Sequence, residues 1–455
     1  MAAETPAAEA APLSLRAATR VWALISLQTF GGPAGQIAIM ERYLVTEKRW
    51  IGRQRFLFAL SFCTLLPGPE AQQLATYLGW LLHGVKGALV AGTLFVLPGV
   101  VTLLALSAVY VAFGDVAGVD GAFLGIGAAV VVIVVQALLR VARSSLTRLS
   151  NRLLALASFV VLALNLVPFP VVIAVAAALG WWWGRRRPAA PVPVAVDDGP
   201  APLIADDALH HEAPSTGHAV RVLVVGLLLW VTPVVAAGLL LGGDSTLVDL
   251  GTFFSGTALI TFGGAYAVLA FVSQQAVTTF GWLSSAEMTR GLGLAESTPG
   301  PLIMVVQFVG FLAAYRDPGG LDPWVAAVLG ALLTTWVTFV PCFVFILLGA
   351  PYVERLRGVK GLRDALAGIT AAVVGVIGSL ALYFTVHVVT SRQRQVDVGP
   401  AEIALPDLDT LVLPALAIIA LAALLLLVRR WSTLSALGVC AGLGVALGLA
   451  GAWPT

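Results

Sequence analysis

A chain of 455 residues with 59% hydrophobic and 11% charged side chains is not a soluble globule, in which charged residues make up about 25%. A net charge of +2 gives no case for a nucleic-acid partner. The composition is that of an integral membrane protein, with the lipid bilayer as its solvent.

Residues 1–16 are an Ala/Pro-rich tail without a basic segment or cleavage pattern, so they do not read as a signal peptide. Apolar stretches near the spanning length of about 20 residues follow at 17–40, 56–83, 85–113 and 122–139, and two shorter ones, broken at Pro168 and Pro170, fill 153–184. Residues 185–218 open with Arg185-Arg-Arg-Pro and run on in Pro, Ala and Asp. Too few aromatic and branched apolar residues are present for this segment to fold, which predicts a disordered cytoplasmic linker with solvated His210, His211 and His218. One apolar stretch, 219–243, precedes a second series at 249–272, 286–314, 325–349, 364–390, 408–428 and 431–452. Cys63, Cys342 and Cys440 lie in apolar runs without a second thiol or histidine at ligand spacing. They read as buried thiols, and neither a disulfide, a metal nor a cofactor is expected.

The second series repeats the first. Thr29-Phe-Gly-Gly-Pro33, Trp50 and Pro67-Gly-Pro69 recur as Thr261-Phe-Gly-Gly264, Trp282 and Pro299-Gly-Pro301, all at an offset of 232 residues. Further on, Ala122 to Val131 matches Ala365 to Val374 at an offset of 243, which also carries Pro98 onto Pro341; the polar insert Tyr315 to Pro323 supplies the difference. A period this long means two copies of one domain-sized unit. The chain therefore divides into repeat 1 (17–184), the linker, a connecting transmembrane helix (219–243) and repeat 2 (249–452).

If each repeat returns the chain to its starting side, a single added crossing makes the second copy enter the membrane from the opposite face. Basic loops stay cytoplasmic, and the loop pairs swap character. Loop 41–55 carries Arg42, Lys48, Arg49, Arg53 and Arg55, whereas its counterpart 273–285 carries no basic residue; loop 114–121 has none, whereas its counterpart has Arg355, Arg357, Lys360 and Arg363. Loop 140–152 holds four arginines, whereas its counterpart 391–409 is mostly acidic. The sequence thus predicts an all-α polytopic protein of two inverted-topology repeats with the N-terminus and linker in the cytoplasm.

Keeping all the basic loops of repeat 1 cytoplasmic requires 17–40 and 56–83 each to enter and leave on one side. Gly-Gly-Pro and Pro-Gly-Pro sit mid-segment, where proline removes a helical donor and glycine permits the bend. Broken or re-entrant helices are expected there, with Pro33, Pro69 and Pro301 opening half-helices whose N-terminal amides face the break. Such ends attract anions, and inverted repeats that meet at broken helices are a transporter plan. The candidate substrate-binding residues are Phe30, Gly31, Gly32, Pro33, Pro67, Gly68, Pro69, Glu70 and Gln72 in repeat 1. In repeat 2 they are Phe262, Gly263, Gly264, Glu296, Ser297, Thr298, Pro299, Gly300, Pro301 and Gln307, with Arg290 as a counter-charge. Glu70 and Glu296 are intramembrane carboxylates, which default to a functional role, either coupling transport to protons or stabilising a helix start.

Phe30-Gly-Gly-Pro33, Leu66-Pro-Gly-Pro-Glu-Ala-Gln-Gln-Leu-Ala75, Leu97-Pro-Gly99, Phe262-Gly-Gly264 and Leu294-Ala-Glu-Ser-Thr-Pro-Gly-Pro-Leu302 together resemble the chromate ion transporter family in its long, two-domain form. The resemblance covers nearly the whole chain except the tail and linker. It implies a bacterial inner-membrane carrier that exports chromate and confers resistance, with sulfate as the look-alike oxyanion and uptake or exchange of such anions as the alternative. One departure is Ala265 where repeat 1 has Pro33. No Gly-x-x-x-x-Gly-Lys-[Ser/Thr] motif occurs, so no ATPase is encoded here. A membrane enzyme acting on a lipid phosphate would need convergent histidines or a His/Asp set, and only His83 and His387 lie in or beside apolar segments. The sequence leaves a homodimer open.

Overall fold

The computed structural model describes residues 13–30, 32–114, 116–164, 166–186, 202–204, 209–210, 215–262, 265–353, 360–398 and 401–451. Gly31, Gly263, Gly264, the N-terminal tail before Leu13 and most of the linker lie outside them.

Helix α1 (Leu15–Ser26) starts at Ser14, whose hydroxyl accepts the Ala17 N–H at 3.3 Å. It stops before Gly-Gly-Pro, where the Phe30 N–H turns back onto the Gln28 carbonyl at 2.9 Å, a three-residue turn. Helix α2 (Gly32–Glu41) begins with Gly32 at φ +73°, a backbone angle that a side chain resists. It widens into a π turn, Arg42–Glu47. Helix α3 (Arg53–Cys63) ends ahead of Pro67-Gly68-Pro69, and α4 (Glu70–Phe113) begins directly after it.

As one rod α4, with 44 residues, would be about 66 Å long, twice the hydrocarbon thickness of about 30 Å. It does not run straight. His83 and Gly84 leave helical geometry, with Gly84 at φ +59°, and the two arms fold back so that Gly79 lies against Gly87 and Ala91. The first arm, like α1, α2 and α3, is then shorter than the roughly 20 residues a crossing needs. Helices α5 (Ala117–Ser145), α6 (Leu149–Ala163) and α7 (Phe169–Arg185) complete the first half. Helix α8 (Thr216–Leu241) stands at the periphery, buried only at Gly226 and exposing Leu228, Leu239 and Leu240. That apolar face suits lipid, not water.

The second half runs α9 (Thr246–Ile260), α10 (Ala265–Gln274) with a π turn at Gln275–Thr279, and α11 (Ser285–Ser297). After Pro299-Gly300-Pro301 come a short 3-10 turn (Leu302–Met304), α12 (Val305–Arg316), α13 (Pro323–Gly349) and α14 (Lys360–Val389). Helices α15 (Leu413–Ala423) and α16 (Thr433–Leu449) close the chain. Loop hydrogen bonds recur 232 residues apart. Trp50 and Ile51 N–H groups share the Leu44 carbonyl as Trp282 and Leu283 share that of Ala276, and Phe262 turns onto Ile260 as Phe30 does onto Gln28.

Among the described residues five helices, α4, α5, α8, α13 and α14, contain stretches long and apolar enough to cross a bilayer. The chain is an all-α polytopic membrane protein carrying one antiparallel hairpin, β1 (Gln393–Val398) with β2 (Ala401–Pro406). That hairpin occupies the segment read as the loop 391–409. The linker also departs from expectation. Leu203 donates to the Arg49 carbonyl at 2.6 Å and His210 to that of Leu81 at 2.7 Å, with the His210 ring edge-on to Trp80. A helix break leaves the preceding turn's carbonyls without their intrahelical donors, and the linker fills the one exposed by the bend at His83. His210 is therefore docked and not simply solvated.

Candidate functional site

The two Pro-Gly-Pro loops cross between the repeats, each reaching the other half's first break. The Gly68 N–H donates to the Thr261 carbonyl at 2.7 Å, and the Gly300 N–H donates to the Thr29 carbonyl at 3.0 Å. Thr261 is the counterpart of Thr29 and Gly300 that of Gly68. Contacts that are exchanged in this way are the mark of a two-fold relation. A second exchange supports it: the side-chain direction of Gly68 points at Cys342, and that of Gly300 at Gly99. Those residues each follow the helix proline of the opposite repeat, Pro341 and Pro98.

Both loop glycines hold left-handed angles, φ +129° at Gly68 and +110° at Gly300. A Cβ on Gly68 would lie 2.7 Å from Gln73 Nε2 and 2.8 Å from Cys342 Sγ, and one on Gly300 would lie 3.3 Å from Gly99 Cα. The amides of Gly68 and Gly300 are thus spent on carbonyls across the crossing. The donors left at the breaks belong to first-turn amides, which have no intrahelical acceptor. Three helices and one short turn present such ends here: α2 at Gly32, α4 after Pro69, α10 at Ala265, and the 3-10 turn after Pro301. Pro33 is the second residue of its helix, while Pro69 and Pro301 are the residues immediately before theirs.

Glutamines brace the crossing. Gln36 Nε2 donates to the Gly300 carbonyl at 2.6 Å, and Gln73 Nε2 to the Pro67 carbonyl at 2.7 Å. Gln72 Nε2 meets Thr76 Oγ1 at 3.1 Å, and that hydroxyl gives its own proton to the Gln72 carbonyl. A carbonyl can only accept, so each amide nitrogen is fixed in place. The three side-chain oxygens remain buried and unpaired. They suit a water, a hydroxyl or a protonated ligand, not a bare oxyanion. Gln307 is used at both ends, donating to Val100 O at 2.8 Å and accepting from Thr335 Oγ1 at 3.2 Å.

The carboxylates differ. Glu70 is the first residue of α4 and half-buried, where a negative charge favours a helix start. Glu296 is only 3% exposed and takes the hydroxyl proton of Tyr266 on one oxygen, while its other oxygen is buried without a partner. Ser297 and Thr298 return their hydroxyls to Leu294 and Ala295, at 2.8 and 3.0 Å, and so finish α11. Phe30, Pro33, Pro67, Pro299 and Phe262 are half-buried at the breaks, and Gly32, Pro69 and Pro301 are buried. Gly31, Gly263 and Gly264 lie outside the described residues. Arg290 is not at the break: it pairs with Asp120 Oδ1 at 2.9 Å and donates to Tyr110 at 3.3 Å. Sequence reading passed over Gln36 and Tyr266. Gln36 could have been found as a polar residue inside an otherwise apolar turn, and Tyr266 by its place directly after the second break.

Over residues 17–181 and 248–446, both halves with the linker and α8 between them, the sequence matches the family described as Chromate transporter. The chain belongs to the chromate transporter family. It is 29% identical over 378 residues to a chromate transport protein of Cupriavidus metallidurans, covering 83% of this chain and 82% of that one. A chromate transport protein of Pseudomonas aeruginosa is 33% identical over 360 residues, 78% of this chain and 77% of the relative. A probable chromate transport protein of Synechococcus elongatus is 26% identical over 364 residues, 80% and 83% of the two chains. No solved structure gives a significant match. As a chromate transporter family member the chain is a transport protein, not an enzyme.

Proposed function

We propose that this protein exports chromate across the bacterial inner membrane as a secondary-active carrier, conferring chromate resistance. Chromate as cargo rests on the relatives named as chromate transport proteins. The carrier mechanism rests on one observation, the exchange of Gly68 and Gly300 between the two breaks. A crossing of broken helices between two equivalent halves is where alternating access places its substrate. Gly68, Gly300 and Gln36 make the hydrogen bonds of this crossing, and helix ends there supply the positive pole an oxyanion needs.

The inverted orientation has its own support. The second arm of α4, from Val85 to Phe113, is about 43 Å long at roughly 1.5 Å per residue, enough to cross the bilayer. Near its start the linker touches Arg49, Leu81 and Trp80. Beyond its other end Asp120 pairs with Arg290, and Tyr110 donates to Glu287 at 3.3 Å. The basic loop 41–55 and its neutral counterpart 273–285 therefore neighbour opposite ends of one crossing helix. Taken with the positive-inside rule, this supports a cytoplasmic location for the 41–55 end, the linker and the N-terminus.

Chromate accumulation by cells with and without the protein tests export. Lower accumulation is expected in cells that carry it; equal accumulation rejects export and higher accumulation reverses its direction. Labelling of single cysteines placed at Arg49 and Ser284 tests orientation, since the native Cys63, Cys342 and Cys440 are all buried. Labelling of both from one face of the membrane would rule out inverted repeats.

A further inference from the structure

The proton on Tyr266 is the one to follow. Tyr266 lies in the first turn of α10, directly after the second break, and its hydroxyl donates to Glu296 Oε1. The same hydroxyl oxygen is 3.5 Å from where a Cβ on Gly32 would stand, so it sits beside the first residue of α2, whose N–H has no intrahelical acceptor. A side-chain donor from repeat 2 thus joins a free helix end of repeat 1. Close by, Gln36 on α2 holds the Gly300 carbonyl, which ties this spot to the crossing.

A phenolic hydroxyl has one proton and can give it to one strong acceptor at a time. Here the acceptor is a carboxylate of the protein. Glu296 is nevertheless ill-served by the arrangement, because its second oxygen is buried and unpaired, and a half-satisfied buried carboxylate is costly. The charged and titratable groups that act on it are Tyr266 from α10 and Arg140 from α5, and Arg140 acts on Tyr266 as well. An incoming oxyanion would be drawn by the α2 N-terminus and Tyr266, and repelled by Glu296 as long as that group is ionised.

We infer that Tyr266 is a donor to the transported oxyanion at the first break, and that Glu296 occupies this donor when the oxyanion is absent. This rests on the oxyanion-transport reading and adds to it a specific exchange. Glu296 takes up a proton or swings away, and the Tyr266 hydroxyl turns from carboxylate to oxyanion. No covalent bond is made or broken; one hydrogen bond changes acceptor.

The test uses the full-length protein in proteoliposomes, with initial rates of chromate transport measured against chromate concentration at several pH values. Tyr266→Phe keeps the ring and deletes the proton. It should raise the half-saturating chromate concentration several-fold, less than the full worth of a hydrogen bond to a charged group because the wild-type hydroxyl gives up its bond to Glu296, while the maximal rate changes by no more than about twofold. Glu296→Gln removes the competing charge, so it should lower the half-saturating concentration and flatten its dependence on pH. Unchanged half-saturation in Tyr266→Phe would overturn the donor role. A rise in Glu296→Gln matching that in Tyr266→Phe would overturn the competition and make Glu296 a support for Tyr266. If both variants lose maximal rate with half-saturation fixed, the pair is structural and the inference fails. Absence of any oxyanion transport by the wild-type protein is a separate outcome, which removes the transport reading and this inference with it.

Discussion

At Gly68 the loop of repeat 1 is packed between two side chains, Gln73 and Cys342, while at Gly300 the loop of repeat 2 faces the bare backbone of Gly99. The backbones at the two places do the same work, each donating across to a threonine carbonyl of the other half. The side chains do not. Repeat 1 follows its loop with Glu70, Gln72 and Gln73, whereas repeat 2 places Glu296 ahead of its loop, bonded to Tyr266, and follows with apolar Leu302, Met304 and Val305. Duplication has kept the turn geometry that builds a crossing and let the two sides of it diverge. A carrier whose halves exchange places needs the first to be common to both; only the second can make one half bind and the other respond.

The largest effects should come from the common part. Gly68→Ala forces a Cβ to within 2.7 Å of Gln73 Nε2 and 2.8 Å of Cys342 Sγ, in addition to the roughly 1–2 kcal/mol cost of a left-handed angle for a side-chain-bearing residue. Gly300→Ala carries the same backbone cost, but its closest contact is an easier 3.3 Å. Both should abolish most chromate efflux at matched expression, and Gly68→Ala should be the less stable of the two in detergent. Full efflux by Gly68→Ala would show that its loop geometry is dispensable. Pro69→Ala should be milder than either, because alanine is accepted at a helix entry and regains an N–H; a proline effect as large as the glycine effects would favour a simple kink.

Next come the braces that differ between the halves. Gln36→Leu strips the Gly300 carbonyl of its donor and Gln73→Leu does the same at Pro67. An unpaired buried carbonyl costs about 1–3 kcal/mol, so each variant should melt measurably earlier in a detergent unfolding assay. Because both replacements also remove an unpaired buried oxygen, the measured loss should fall toward the lower end of that range. A gain in stability for either would mean that the amide is retained for a ligand at the expense of the fold.

Much of this was legible in the sequence, and for definite reasons. The constant offset from Phe30 to Phe262 and from Pro67 to Pro299 located the breaks, because glycine and proline act on backbone geometry locally. The segment lengths and apolar content identified the polytopic fold for the same local reason. Which atoms meet across the crossing was not legible. Nothing in Thr29 or Thr261 announces that its carbonyl will accept from a glycine of the other half of the chain. Arg290 shows the limit from the other direction: an arginine in an apolar run reads as a counter-charge, but its partner, Asp120, comes from the first turn of α5, which only the fold brings near.

That pairing supplies a smaller, sharper test. Arg290 is partly exposed, with its charge shared between Asp120 and Tyr110, and exposed ion pairs contribute about 0–1 kcal/mol. Arg290→Ala should lower thermal stability slightly and leave the half-saturating chromate concentration unchanged. A marked loss of chromate affinity would restore Arg290 as the substrate's counter-charge, and with it the sequence-based expectation.

The smallest effect is expected at Glu70. Glu70 stands directly after the Pro-Gly-Pro loop, in the place a coupling carboxylate would be sought. Yet it is half-buried at the first position of α4 and makes no hydrogen bond or ion pair among the described residues. A negative charge at a helix start is worth roughly 0.3–1 kcal/mol, and that is the role this position supports. Glu296 has the features that Glu70 lacks: burial, a tyrosine proton and a cation acting on it from α5. Glu70→Gln should therefore cost a little stability and keep the wild-type dependence of transport on pH, while Glu296→Gln should not keep it. If Glu70→Gln instead flattens the pH profile and Glu296→Gln preserves it, the two repeats have exchanged roles and the proton is handled beside Gly68.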